Sequence, residues 1–161
     1  MIGTVVDVTR RQVGEPDGNV VLDLFVLHQR IGELMELALE GTGVRPAEYA
    51  IYSQLAIAPM SPKELRARLG VTPSTLTGHL EAIARRGHAT REKDLNDGRS
   101  YRVELNGEGR RAHEACRAGF RQMLAQLVAA LPLEESEVRR TLAILDETGD
   151  RLLEAYRESG A

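Results

Sequence analysis

Residues 72–86 of this chain gather hydrogen-bonding side chains and cations at spacings that suit recognition rather than bond breaking. At a helical period Leu76, Leu80 and Ile83 share one face, while Ser74, Thr75, Gly78, His79 and Ala82 fall opposite, with Thr77 beside them. An ordinary solvated helix face is coated with charge. Here the outward groups are short donors and acceptors that run into Arg85 and Arg86, a pattern fit for a groove with hydrogen-bonding edges and anionic walls. Arg91 and Arg99 extend the basic character across a turn built from Asp94, Asn96, Asp97 and Gly98. An arginine at such a tip suits a narrow groove where phosphates concentrate negative potential.

Other chemistries find little support. Cys116 is the single cysteine, which excludes an intramolecular disulfide, and its register with Ala112 and Phe120 predicts a small core residue rather than a redox sensor. His28, His79, His88 and His113 show no pair at the spacing of a helical metal site. No nucleophile motif, phosphate-cradling glycine loop or dinucleotide fingerprint occurs. We expect no enzyme activity, no cofactor and no metal.

The elements that must position these groups have local signals. Ser61, Pro62 and Glu64 form a helix start with cap, first-turn proline and reach-back carboxylate, and Gly70 ends that helix. Thr72, Pro73 and Ser74 start the next, which runs to Gly87. Strand-like segments follow at 88–93 and 100–105, where Tyr101, Val103 and Leu105 alternate with polar residues. Upstream, 19–40 carries a broad apolar stripe that includes Leu24, Phe25, His28 and Ile31, and Pro46 opens a helix through Ala56 with Tyr49, Tyr52 and Leu55 inward. Downstream come two long helices, about 107–131 and 134–158, with stripes at Cys116, Phe120, Met123 and Leu127 and at Val138, Leu142, Leu145 and Leu152. These stripes exceed what the small module can cover, which predicts pairing with a second copy. Residues 1–18, with Gly14, Pro16 and Gly18, are expected to form an arm.

The run from Thr77 to Gly87, followed by Arg91, Asp94, Asp97 and Arg99, resembles the recognition helix and wing of the MarR family of winged-helix transcription regulators. The resemblance covers 19 to the C-terminus and implies a mainly α fold with a small β-wing. In it, 19–45 and 107–161 are dimerisation helices and 46–106 is the winged helix-turn-helix lobe. It also implies that Arg99 enters the minor groove while Asp97 helps hold the wing. The family often carries Arg where this chain has Gly78, which shifts readout toward Ser74, Thr75 and His79. Lys63, Arg85, Arg86 and Arg91 are then expected on phosphates, with Ser61, Thr72 and Pro73 completing the contact surface. The implied partner is double-stranded DNA with a pseudo-palindromic operator, bound by a homodimeric repressor that a small aromatic or phenolic effector releases. The effector pocket of such proteins lies between dimer helices and DNA-binding lobe, here predicted to use Leu24, Phe25, His28, Tyr52 and Phe120. His28 also fits a satisfied core histidine. The alternative function is a winged-helix protein-interaction module that has lost specific DNA binding, which Gly78 favours.

Composition agrees with a globular chain of about one domain: 161 residues, 42% hydrophobic and 28% charged, without an apolar run of membrane-spanning length. No basic-then-apolar leader opens it, so a cytoplasmic location without a membrane partner is expected. The net charge of -3 is unevenly spread. Between Ser61 and Arg102, nine basic residues face five acidic ones, a local +4 against -7 elsewhere.

Overall fold

The computed structural model describes residues 13–93 and 101–160, so the expected arm up to residue 12 and the wing tip with Asp97 and Arg99 lie outside the described residues. Six helices and one hairpin follow in order: α1 (Val20–Ala38), α2 (Pro46–Leu55), α3 (Pro62–Leu69), α4 (Pro73–Arg85), β1 (Ala89–Lys93), β2 (Tyr101–Leu105), α5 (Gly107–Ala130) and α6 (Glu135–Glu158). The mainly helical fold with a small wing is the one expected from the sequence. Each boundary falls within two residues of its sequence signal, because the caps are local. The Asn19 carboxamide accepts from the Val21 and Leu22 amides at 3.1 and 3.0 Å to start α1. Gly70, at φ 64°, ends α3 in the left-handed region and turns the chain toward α4 within three residues.

The chain divides after Met123 into two compact units. In the first, Tyr49, Ile51, Tyr52 and Leu55 of α2 belong to one core with Leu65, Leu76, Leu80 and Ile83 of the helix-turn-helix and Val103, Leu105 and Cys116 beyond it. Burial of each large aliphatic side chain stabilises by roughly 1.5–3 kcal/mol, so this cluster is what fixes α4 relative to α2. β1 and β2 pair antiparallel from Ala89 opposite Leu105 to Lys93 opposite Tyr101. Met60 extends the ladder, exchanging 3.0 and 2.8 Å backbone hydrogen bonds with Val103 and so tying the start of α3 to the wing. Two glycines permit close approach. A Cβ on Gly109 would lie 2.0 Å from the His88 carbonyl oxygen, and one on Gly119 would lie 2.2 Å from that of Ala38.

In the second unit, α6 has no buried residue: Leu142, Leu152 and Tyr156 are exposed by 47, 56 and 64%. Among the described residues no helix is long and apolar enough to cross a membrane.

Candidate nucleic-acid interface

α4 presents the face that its period predicts. Leu76, Leu80 and Ile83 are buried, while Thr72, Pro73, Ser74, Thr75, Thr77, Gly78 and Arg85 are exposed and His79 and Ala82 are half-buried. The Thr72 hydroxyl caps the helix by accepting from the Thr75 amide at 3.3 Å, and lies 2.8 Å from the Thr75 hydroxyl and 3.2 Å from that of Ser74. Thr77 donates back to the Pro73 carbonyl at 2.9 Å, so its proton is used within the helix and its lone pairs face outward.

Ser74, Thr75, Gly78 and His79 line a largely polar concavity of about 470 Å³, whose far wall is the start of α2, Arg45 and Glu48. Arg85 and Arg86 close its C-terminal end. Nothing lies within 4 Å of where a Gly78 Cβ would be, so the middle of this surface is open. Lys63 is exposed on α3. Arg91 is exposed on β1, its guanidinium 5.0 Å from the centre of the Tyr101 ring, which restricts the side chain while leaving its charge outward.

Two expected contact residues are placed otherwise. Ser61 is only 9% exposed and committed to its cap: its hydroxyl accepts from the Glu64 amide at 3.3 Å and donates to the Glu64 carboxylate at 2.9 Å. Its amide donates to the same carboxylate at 2.7 Å, and these two bonds from Ser61 lead in holding the Glu64 pKa below its ordinary value. Arg86 is turned toward α2, where its guanidinium meets the Glu48 carboxylate at 2.7 Å. Glu48 itself is 2% exposed, and the same oxygen accepts from the Arg45 amide at 3.0 Å. Burial alone would raise the Glu48 pKa, but the Arg45 amide and the Arg86 charge together hold it below the ordinary range. Pairing with Glu48 raises that of Arg86. The sequence reading missed both α2 residues. Their signal was present, since Arg45-Pro46-Ala47-Glu48 has proline at the first helical position and Glu at the third.

The residues expected to line the pocket lie in different surroundings. Tyr52 is fully buried and its hydroxyl is 2.8 Å from His88 Nδ1, so it is a core group and no pocket handle. Phe120 packs on the Tyr49 ring at 5.1 Å, and Leu24 and Phe25 are exposed by 38 and 59%. His28, exposed rather than satisfied in the core, does line a groove of about 470 Å³ together with Ile31 and Met35 of α1, Ile51 of α2 and Val71. Arg45 and His79 border that groove too. Cys116 is buried as expected, and burial raises its thiol pKa, the reverse of what a reactive cysteine needs.

Comparison with known proteins fits this geometry. Residues 42–100 match the family model described as MarR family. The chain is 29% identical over 120 residues to the HTH-type transcriptional repressor YetL of Bacillus subtilis (strain 168), covering 73% of this chain and 72% of that protein. A probable transcriptional regulator from Pseudomonas aeruginosa superposes with a TM-score of 0.73 at 28% identity, over 81% of this chain and 99% of that one. The M. tuberculosis transcriptional regulator MOSR, solved in complex with DNA, superposes with a TM-score of 0.76 at 24% identity, over 84% and 98%. With α4, its capped turn and the paired wing strands in place, the chain is similar to the MarR family of winged-helix transcription regulators, whose model matches the helix-turn-helix and the first wing strand.

Proposed function

We propose that this regulator acts as a homodimeric repressor, bound to a pseudo-palindromic operator in the cytoplasm and released by a small aromatic or phenolic effector. One observation carries the DNA-binding part: Ser74, Thr75, Gly78 and His79 share a single open polar face bordered by arginines. That combination supplies short groups for base edges and cations for phosphates. Thr72, Pro73 and Thr77 flank the face, Lys63, Arg85 and Arg91 add charge at its borders, and Arg99 on the wing takes the minor groove. The relative solved with DNA, MOSR, supports the same use of the fold.

Dimerisation is supported by the apolar surface that each unit leaves uncovered, Val21 and Phe25 at 73 and 59% exposure on α1 and Leu152 and Tyr156 on α6. Such side chains along long helices need a second copy to remove them from water. For the effector we replace the pocket expected from the sequence with the His28, Ile31, Met35 and Ile51 groove, whose apolar walls and few polar groups suit a small aromatic molecule. To release DNA, such a molecule must bind the free form more tightly than the bound one.

The test is a salt titration of binding to the DNA upstream of its own gene. Neutralised phosphates predict a logarithmic affinity that falls linearly and steeply with the logarithm of salt. A flat response would leave the protein-interaction module as the better reading.

A further inference from the structure

Glu48 is the one carboxylate among the residues that line the polar concavity, and it is already satisfied. Arg86 occupies it at 2.7 Å from one side and the Arg45 amide at 3.0 Å from the other. Of the three arginines that border this surface, Arg45 and Arg86 are therefore in opposite electrostatic states. The charge of Arg86 is neutralised by a carboxylate that is 3% exposed, and a phosphate brought to it would compete with that pairing. Arg45 uses only its backbone in the contact with Glu48. Its residue is exposed, and among the described residues its guanidinium has no acidic partner.

The position of Arg45 gives that charge a use. It caps the start of α2, across the concavity from Ser74, Thr75 and Gly78. α3 is the partner of α4 in the helix-turn-helix, but a helix seated in the major groove has sugar-phosphate walls along its flanks, so a cation that stands beside α4 on another element faces phosphate and not base edges. The open middle at Gly78 keeps α4 from shielding that wall, since no side chain fills the space there.

We propose that Arg45 is a phosphate-contacting residue of the DNA interface, working from α2 beside the recognition helix, while Arg86 is a positioning residue held back by Glu48. The proposal rests on the DNA-binding reading above. It assigns Arg45 a role that the helix-turn-helix sequence does not suggest, and withdraws Arg86 from the phosphate contacts.

Salt titrations of Arg45→Gln, Arg45→Lys and Arg86→Gln, on the same upstream DNA and on an unrelated duplex, separate the possibilities. One lost phosphate contact per subunit reduces the salt slope by about 0.9 for each subunit, or roughly fivefold in affinity per subunit at 0.15 M salt. Arg45→Gln should show this reduction on both duplexes with an unchanged melting temperature, and Arg45→Lys should restore the slope. Arg86→Gln should keep the wild-type slope, with any loss of affinity accompanied by a lower melting temperature. An unchanged slope in Arg45→Gln while the wild type responds steeply overturns the proposal. So does a loss confined to one sequence, which would make Arg45 a base contact. A slope reduced by Arg86→Gln overturns the positioning role. A wild type without salt dependence fails earlier, at the DNA-binding reading itself.

Discussion

Removing Arg86 should cost stability in a pH-dependent way, because it strands a buried carboxylate. In Arg86→Met the Glu48 carboxylate, 3% exposed, keeps the Arg45 amide and loses its only paired charge among the described residues. Breaking a buried ion pair from one side costs roughly 3–5 kcal/mol. Arg86 is itself 33% exposed, so water replaces part of what is lost, and we expect about 2–3 kcal/mol at pH 7. For a chain of this size that lowers the melting temperature by roughly 5–10 °C, compared at fixed protein concentration. In the wild type the folded pKa of Glu48 lies below its ordinary value of 4.5, so its contribution is present above that pH and is lost as pH falls through the folded pKa. Without Arg86, burial pushes the pKa upward, and the variant sheds its penalty as the carboxylate protonates on folding. Urea unfolding at pH 7 and near pH 4 should therefore show the gap between the two proteins shrinking in acid. Glu48→Met combined with Arg86→Met should recover most of the loss, apart from about 1 kcal/mol for the missing cap. A difference below about 0.5 kcal/mol at pH 7, or one that does not change with pH, would refute the buried-pair account.

Three further outcomes are expected. Gly109→Ala places a Cβ 2.0 Å from the His88 carbonyl oxygen, where only backbone can yield, and should destabilise by at least roughly 1–3 kcal/mol in denaturant titration; an unaffected midpoint would show that α5 and β1 can separate freely. Gly78→Arg starts from a Cβ with no atom within 4 Å and replaces a poor helix former, so it should raise affinity on the upstream DNA and on unrelated DNA alike, roughly fivefold per subunit; loss of binding in a filter or anisotropy assay would show that close approach at Gly78 is required. Leu142→Asp with Leu145→Asp puts charge into the α6 stripe and should yield a monomer by sedimentation, whereas a wild-type protein that is monomeric and folded at micromolar concentration overturns the dimer.

The helix-turn-helix was legible because its signals are local. Ser61 with Glu64, Gly70 and Thr72 each act within four residues, and Leu76, Leu80 and Ile83 define the buried face by period alone. The buried polar contacts of α2 were not legible in the same way. A Glu in the first turn of a helix ordinarily sits in water beside the helix dipole. What buries Glu48 is the last turn of α4, brought back from 38 residues away. Tyr52 shows the same dependence: its inward direction was plain, but whether it lines a cavity or a core depends on His88, 36 residues on. For His28 both a pocket and a core position were open in the sequence, and it is exposed on the groove, since a broad apolar stripe on α1 does not say which part of it the rest of the chain covers.

Arg85 and Arg86 show how far the period could have been pressed. Successive helical residues are about 100° apart, so adjacent arginines cannot share a direction. Arg86 lies three residues after Ile83, which places it about 60° from a fully buried position and on the flank that faces α2. Arg85, two residues after Ile83, points about 160° away; both residues are exposed, and Arg86 is set apart by its guanidinium, which lies on Glu48 with the side chain 33% exposed. The spacing thus separates a cation on the α2 flank from one that points away, and the flank cation is the one a carboxylate of α2 can reach. Among the acidic residues that precede α4, Glu48 is the one whose helix also carries Tyr49, Tyr52 and Leu55 into the same core, so it is the partner that the packing of α2 against α4 brings within reach.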